Sequence, residues 1–250
     1  MGNDSRRKTI HVFLSTLELE PWASITNEGF LETWSNNHDE FMELTLLRGL
    51  KPGRFFIFLN EIVETLRWKR GKLLSYVIAY ILIITLLPFR WQVPKIKIKS
   101  RPEKSLGNLT IANVRIPELL TTLRWKKLSA MKFFLENSSC QYMLLVNPST
   151  YVCVTNLKLY IETLEGKEFV YSGKIQTSSD SDFVVGSFIL LNRNTVRLLL
   201  NNAYKIPVHT LDDVAFGKTL RDLDVKITPC PSIEIQKSGD FSQLNEFKDV

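Results

Sequence analysis

The chain has few of the residues that most often build disulfide frameworks and zinc sites. Its 250 residues include three cysteines and three histidines. Cys140, Cys153 and Cys230 have no paired spacing and the histidines lie far apart, so we expect neither a disulfide scaffold nor a zinc site. Gly-x-Ser-x-Gly, P-loop and Gly-x-Gly-x-x-Gly motifs are also absent. The corresponding hydrolase and nucleotide-binding signatures are therefore missing.

Acidic residues are fewer than basic ones, with 26 Asp and Glu against 32 Lys and Arg. The formal net charge is +6 and the sequence pI is about 9.2, which suits an anionic partner such as a phosphorylated ligand, an acidic membrane surface or nucleic acid. The basic residues cluster at 6–8, 67–72 and 90–101. Two of these clusters flank an apolar run rather than a polar groove, so membrane phosphates explain them better than nucleic acid does. We predict no nucleic-acid binding.

That apolar run, residues 73–87, holds fifteen residues without a charge. A bilayer-spanning helix needs roughly 20 residues, and Pro88 stops this one. A buried core helix, a helix lying on an anionic membrane and a true span are the three alternatives. We reject the span and predict a peripheral contact with the membrane surface, which places the protein in the cytoplasm at the inner face of the membrane.

Apolar periodicity predicts alternating strands and helices, and hence an α/β fold with a mostly parallel central sheet flanked by helices. We expect one domain over residues 1–235 and a loosely ordered tail over 236–250. The predicted strands are 9–16, an edge strand within 94–105, 142–146, 169–173 and 183–191. The predicted helices are 23–34, 118–136 with Pro117 in its first turn, 156–164 capped by Asn156, one following an Asn192 cap, and 210–223.

Five segments in order then resemble the β-1,3-glycosyltransferases of the galactosyltransferase and Fringe type, which have a nucleotide-sugar-binding GT-A fold. They are RIPELLTTLRWKKLSAMKFFLEN, QYMLLVNPSTYVCVTNL, FVYSGKI, FVVGSFILLNRNTVRLLL and TLDDVAFGKTLRDLDVKI. The resemblance covers about residues 115–228. At the turn after strand 142–146 this chain has Asn-Pro-Ser, which is similar to bacterial relatives that carry Asn-x-Ser in place of Asp-x-Asp.

The resemblance implies site residues. Asp213 matches the family's catalytic base, a carboxylate that takes the proton of the attacking hydroxyl, and Asp212 is its acidic neighbour. The alternative is that Asp212 caps the helix and Asp213 is a first-turn partner of the helix dipole. The residues predicted to bind substrate are Asn147, Ser149, Lys126, Gly173, Lys174 and Gly186. For several of them ordinary structural roles remain open, namely turn chemistry at 147–149, packing at Gly186 and solvated charge at the lysines.

The resemblance also implies Mn²⁺, but this chain lacks the ligands. Where the family has Asp-Asp-Asp, Asn147, Pro148 and Ser149 stand, and no histidine follows His209. Neutral amide and hydroxyl oxygens are weak ligands for a hard cation without carboxylates beside them. We therefore predict no metal-binding residues. Mn²⁺ is left open as a cofactor whose usual ligands are missing, and the protein either binds its donor without metal or does not turn it over.

Together these features predict an inverting glycosyltransferase that moves a hexose from a nucleotide sugar to a glycan or lipid-linked acceptor in surface-polysaccharide synthesis. The alternative is a non-catalytic, glycosyltransferase-like binding or scaffold protein at the membrane.

Overall fold

Ten strands and four α-helices are formed by the residues that the computed structural model describes, which are 9–15, 41–50, 96–99, 110–117, 122–178, 181–208 and 210–230. The strands are β1 (Ile10–Ser15), β2 (Met42–Leu50), β3 (Ile96–Lys99), β4 (Thr110–Pro117), β5 (Tyr142–Val146), β6 (Tyr171–Gly173), β7 (Ile175–Thr177), β8 (Asp182–Val184), β9 (Phe188–Asn192) and β10 (Ile227–Pro229). The helices are α1 (Leu123–Asn137), α2 (Val154–Glu162), α3 (Arg193–Asn201) and α4 (Asp212–Arg221), and a 3₁₀ turn spans Ala203–Lys205.

Eight of these strands form the central sheet, in the order β10-β6-β9-β5-β1-β2-β4-β3, while β7 and β8 pair separately. Neighbours are parallel at β4–β2, β2–β1, β1–β5 and β6–β10. The antiparallel pairs are β3–β4, β5–β9 and β6–β9. The predicted α/β class with a mostly parallel central sheet is confirmed, and it is the layout that the resemblance to a GT-A-like fold implied.

Helices cover both faces of the sheet, because alternate residues of the central strands point to opposite sides. Phe13 and Met143 pack on one face with residues of α1, α3 and α4. Val12 and Leu144 pack on the other face with Leu157 of α2. Every residue of β1 and β5 is buried, which is the expected state of central parallel strands.

Several predicted elements are confirmed. Strand 142–146 has the predicted bounds, strand 9–16 is β1, and β3 lies at the end of the described sheet. Asn192 caps α3, since its Oδ1 accepts the Thr195 backbone N–H at 3.0 Å. The one-domain boundary at 235 stays a prediction. Predicted segments 23–34, 73–87 and 236–250 lie outside the described residues.

Three local predictions are wrong. Pro117 does not open a helix: it ends β4, where it pairs with Leu50, and α1 begins at Leu123. The apolar stretch 183–191 is two strands, because a turn at 185–187 sends β8 into the small sheet and β9 into the large one. Asn156 is not a cap, because α2 begins at Val154.

None of the helices in the described part of the chain has both the length and the apolar content needed to cross a bilayer. The apolar run 73–87, for which a membrane contact is predicted, falls outside those residues.

Gly217 lets α4 approach β8 closely. A Cβ at this position would lie 2.5 Å from Phe183 Cβ and 3.0 Å from its Cα. In most helices Gly→Ala is stabilising, but here the added methyl meets strand atoms that cannot move alone. We expect Gly217→Ala to lower the free energy of unfolding by about 1–3 kcal/mol, measured by urea unfolding. Asn156→Ala, on an exposed helix position, is the control, with an expected change within about 0.5 kcal/mol.

Candidate functional site

The predicted site residues gather at one edge of the sheet because of the direction of β9. This strand runs antiparallel to β5 and β6, so its first residue, Phe188, pairs with the last residue of β5, Val146. The turn that precedes β9, residues 185–187 (the β8–β9 turn), therefore lies beside the segments that follow β5 and β6. Ligand sites of α/β sheets usually form at this edge, beyond the carboxyl ends of the parallel strands.

Backbone hydrogen bonds tie both neighbouring segments to the β8–β9 turn. The N–H of Asn147 donates to the carbonyl of Ser187 at 3.2 Å, and the Thr150 hydroxyl donates to the same carbonyl at 2.8 Å. On the other side, the N–H of Val185 donates to the carbonyl of Lys174 at 2.9 Å. The structure thus brings together Asn147, Lys174 and Gly186, three of the predicted residues.

Gly173 is required by this close packing. A Cβ there would contact Val184 Cγ1 and the carbonyl oxygen of Phe188. Those atoms belong to the two strands on either side of the β8–β9 turn. A side chain at Gly173 would push the turn away from β6, so the structure gives this glycine a packing role next to the site.

Asp213 contacts the same turn from α4. Its Oδ2 accepts the N–H of Gly186 at 3.0 Å and its Oδ1 accepts the N–H of Val214 at 2.8 Å. Burial raises the pKa of this carboxyl, and the negative charge of Asp212 raises it further, while Lys127 and the two N–H donors act in the opposite direction. The result is a fixed carboxylate that binds a proton more tightly than an exposed aspartate does.

Lys127 of α1 completes the cluster. Its buried ammonium lies 2.6 Å from Asp212 Oδ2 and donates to the Gly186 carbonyl at 3.4 Å. Both polar groups of the Gly186 backbone are therefore bound, the N–H by Asp213 and the carbonyl by Lys127. A Cβ at Gly186 would lie 3.2 Å from Asp213 Oδ2 and 3.3 Å from Lys127 Nζ, so this glycine makes room for the two charged groups.

Lys127 was not among the predicted site residues, whereas its neighbour Lys126 was. Both side chains are buried, but consecutive helix residues point about 100° apart, and the ion pair to the acids is made by Lys127. A signal was present: Leu123, Lys127, Met131 and Phe134 recur at steps of three and four residues, so Lys127 stands on the apolar face of α1. A cation in that position is rarely buried without a charged partner.

Arg124, three residues before Lys127 on α1, binds the segment that leads into α4. Its guanidinium donates to the carbonyls of Pro207, Val208 and Thr210, the last two at 3.1 Å. One helix thus fixes both the approach to α4 and, through Lys127, its first residue. Asp212 is that first residue rather than the cap, which is Leu211, so the capping alternative is wrong, whereas the first-turn position of Asp213 is confirmed.

Ser149 is exposed in the turn after β5 and Lys126 is buried in α1. Their roles in substrate binding stay predictions. Arg193 donates to the carbonyls of Leu135, Ser138 and Cys140. It closes the C-terminal end of α1, which is a structural role.

The turn after β5 does not fit a divalent cation. Its backbone is already used, because the Asn147 carbonyl accepts the N–H of Thr150 at 3.0 Å, and Pro148 is buried. The side-chain atoms left to coordinate a cation are one amide oxygen and one hydroxyl oxygen. Within the described ranges, no group of three or more His, Cys, Asp or Glu side chains is arranged to hold a metal ion. The residues of this turn therefore do not fit Mn²⁺.

The raised pKa of Asp213 predicts a pH dependence of stability. In the folded protein Asp213 keeps its proton at pH values above 3.8, its ordinary pKa, whereas in the unfolded chain it releases the proton near that pH. Stability is therefore lost as pH rises from 3.8 through the folded pKa. Asp213→Asn does not show this loss. We therefore expect the free energy of unfolding of the variant, relative to that of the wild type, to increase with pH across this window by at most about 1.4 kcal/mol per pH unit.

The measurement is urea unfolding of both proteins at a series of pH values. Lost hydrogen bonds in the variant give an offset that does not change with pH, so the slope of the difference is the informative quantity. A difference that stays flat above pH 3.8 contradicts the prediction.

No protein-family model and no curated protein sequence matches the chain. Among solved structures, the chain is similar to 4-diphosphocytidyl-2C-methyl-D-erythritol synthase from Anaerococcus prevotii DSM 20548. The sequence identity is 11%, the TM-score is 0.44, and the match covers 97% of each chain. These comparisons assign the chain to no family.

Proposed function

We propose that the protein is an inverting glycosyltransferase that moves a hexose from a nucleotide sugar to a hydroxyl group of an acceptor. The observation that carries the proposal is the state of Asp213. Two backbone N–H groups fix its carboxylate at the edge where β5 and β6 end, and burial raises its pKa. A general base needs this combination of fixed geometry and raised proton affinity.

The reaction needs one proton transfer and one displacement. The Asp213 carboxylate takes the proton of the acceptor hydroxyl while the hydroxyl oxygen attacks the anomeric carbon of the donor. The bond between that carbon and the diphosphate oxygen breaks, and its electron pair leaves with the nucleoside diphosphate. Attack from the side opposite the leaving group inverts the anomeric centre. Each carboxylate oxygen has a second lone-pair site beyond the N–H that it already accepts, so Asp213 can receive the proton while it stays bound to the β8–β9 turn.

The charge of Lys127 serves the acids rather than the diphosphate. Its ammonium is buried and lies 2.6 Å from Asp212, so it is engaged before any donor arrives. Asn147 and Ser149, on the segment beside the β8–β9 turn, are the residues that we propose bind the ribose or phosphate of the donor through hydrogen bonds.

The proposed acceptor is a glycan or a lipid-linked sugar, and the proposed location is the cytoplasmic side of a membrane, with residues 73–87 at the lipid surface. The net charge of +6 and the basic segments on both sides of that run support an anionic surface as the partner. Extraction of membranes with high salt or carbonate would release a peripheral protein and leave an inserted one behind.

A second function is favoured by one observation, the lack of a carboxylate in the turn after β5. A chain that binds a nucleotide sugar without turning it over, as a scaffold beside an active transferase, would need the fold but not a metal or a base. The two functions differ in whether Asp213 matters for anything beyond binding.

The test uses the purified full chain with a panel of uridine, guanosine, cytidine and thymidine diphosphate sugars. Donor binding is followed by calorimetry, and nucleoside diphosphate release by a coupled assay, each with Mn²⁺ and with a chelator. Release that continues in the chelator supports the proposal. Binding without release under every condition favours the scaffold, and absence of binding to every donor rejects both functions.

A further inference from the structure

The two acids at the start of α4 are bound differently. Lys127 makes an ion pair with Asp212, while Asp213 accepts hydrogen bonds from the Gly186 and Val214 backbone N–H groups. Adjacent carboxyl groups in a poorly solvated place repel each other when both are ionised and then tend to share one proton. A single buried cation on one of the two can prevent this.

Three elements near the start of α4 carry other charged or titratable groups. From α1 come Lys127 and Arg124, and the guanidinium of Arg124 is occupied by three backbone carbonyls. From β6 comes Tyr171, a buried hydroxyl that accepts the N–H of Val184 at 2.9 Å. Burial above all, and then the charges of Asp213 and Asp212, raise the pKa of Tyr171, so it stays neutral.

From β8 comes Asp182, whose side chain is exposed and accepts the Thr177 hydroxyl at 2.7 Å. On α4 itself, Lys218 lies one and a half turns beyond the acid pair and is half-buried. Among these groups, Lys127 is the cation that makes the ion pair with Asp212. The ionisation of the pair is therefore expected to depend on this one ammonium.

We infer that Lys127 is a positioning residue: its ammonium pairs with the Asp212 carboxylate and limits the repulsion between the two acids, so that a proton goes to Asp213 and is not shared between the two carboxyl groups. The inference rests on the proposed function for its catalytic meaning, because an unshared proton site is what a general base at Asp213 needs. Its physical content is independent of catalysis.

Removing the ammonium of Lys127 is expected to raise the pKa of Asp213. Without Lys127, the buried charge of Asp212 is uncompensated and acts on Asp213 at full strength. Asp213 then holds its proton to higher pH, and the two carboxyl groups titrate as a coupled pair. Arginine at position 127 keeps the positive charge and is expected to keep the separation of the two titrations, although its planar head group fits the site differently.

The experiment is an NMR titration of aspartate side-chain carboxyl carbons, with Asp213 assigned by the signal that is lost in Asp213→Asn. The proteins are the wild type, Lys127→Met, Lys127→Arg, Asp212→Asn and the double variant Lys127→Met with Asp212→Asn. We expect the Asp213 midpoint to rise by about one pH unit or more in Lys127→Met, a tenfold change in proton affinity. In Lys127→Arg it is expected to stay within about half a unit of the wild type.

The double variant keeps the inference testable if Lys127→Met does not fold. Asp212→Asn removes the neighbouring charge, so its Asp213 midpoint is expected below that of the wild type. Adding Lys127→Met to it removes only the direct attraction between the ammonium and Asp213, so the midpoint is expected to rise by less than about half a unit. A rise of about one unit or more in the Asp212→Asn background, or no rise in Lys127→Met, overturns the inference.

The titration uses no substrate, so its outcome is separable from that of the proposed function. If the midpoints shift as expected but no donor is turned over, the acid pair is organised as inferred and the glycosyltransferase proposal fails. If turnover occurs, the acidic limb of its pH profile is expected to move upward in Lys127→Met by the shift that the titration measures. A purely structural lysine would lower activity without moving that limb.

Discussion

Asp213→Asn is expected to slow sugar transfer about 10²- to 10⁴-fold, which is the usual contribution of a general base. The amide of asparagine cannot take up the proton of the acceptor hydroxyl, so the hydroxyl oxygen must attack the anomeric carbon with its proton still attached. Donor affinity is expected to change little, because the base contacts the acceptor hydroxyl rather than the nucleotide. A loss confined to kcat is the signature of an interaction made in the transition state.

Asp222→Asn is the matched control. Asp222 is an exposed acid at the opposite end of α4, where it is the C-cap residue, and Arg221 lies 3.4 Å from it. Initial rates at saturating donor are compared for the wild type and both variants. Transfer by Asp213→Asn at a rate close to that of Asp222→Asn would remove Asp213 from the role of base.

The second large effect is on stability. Lys127→Met is expected to lower the free energy of unfolding by about 3–5 kcal/mol, because it leaves Asp212 as a buried carboxylate without its cation. The side chain of Lys127 is 3% exposed and that of Asp212 is 10% exposed, at 2.6 Å from each other. Solvent cannot replace the lost partner at this degree of burial. Chemical unfolding at neutral pH measures the change.

A double-mutant cycle separates the ion pair from general packing. Asp212→Asn in the Lys127→Met background removes the uncompensated charge, so we expect the double variant to be more stable than Lys127→Met alone. Lys132→Met is the control on the same helix, since Lys132 lies 3.9 Å from Glu136 in an exposed pair and its loss is expected to cost about 0.5 kcal/mol or less. Equal costs for the two lysine variants would show that Lys127 contributes no more than a surface charge.

Elements with an uninterrupted apolar signal were predictable from the sequence, and elements defined by a single turn were not. Strand 142–146 is a short apolar run between polar residues, and its bounds were predicted correctly. The stretch 183–191 is equally apolar, but it contains a turn at Gly186 that sends its two halves into different sheets. Local hydrophobicity indicates that a segment is buried, but it does not indicate which strand the segment pairs with.

Strands β2 and β4 were not predicted at all. Met42–Leu50 and Thr110–Pro117 mix apolar with polar and charged residues, and Pro117 at the end of β4 suggested a helix start. Their pairing with β1 and with each other is what makes them strands. Long-range pairing of this kind overrides local propensity.

The proximity of several candidate residues was predictable because the acids and the glycine sit at the ends of recognisable elements, whereas their roles stay predictions. Asp213, Gly186 and Asn147 meet around one turn, as the resemblance implied. The lysine that pairs with the acids, Lys127, was not predicted, since Lys126 and Lys127 are chemically identical and only the register of α1 distinguishes them. Register follows from packing on the sheet, which composition does not reveal.

Strand β9 covers the backbone edges of its two neighbours, β5 and β6. Among the described strands, β4, β2, β1 and β5 form one parallel block and β6 with β10 another, and β9 is the strand that joins them. A chain in which β9 has not yet inserted would present two bare rows of amide and carbonyl groups, which invite pairing with other molecules. Substitutions that weaken this strand are thus expected to reduce soluble yield and dismantle the acid cluster together, so that aggregation during expression and failure of the chemistry share one origin.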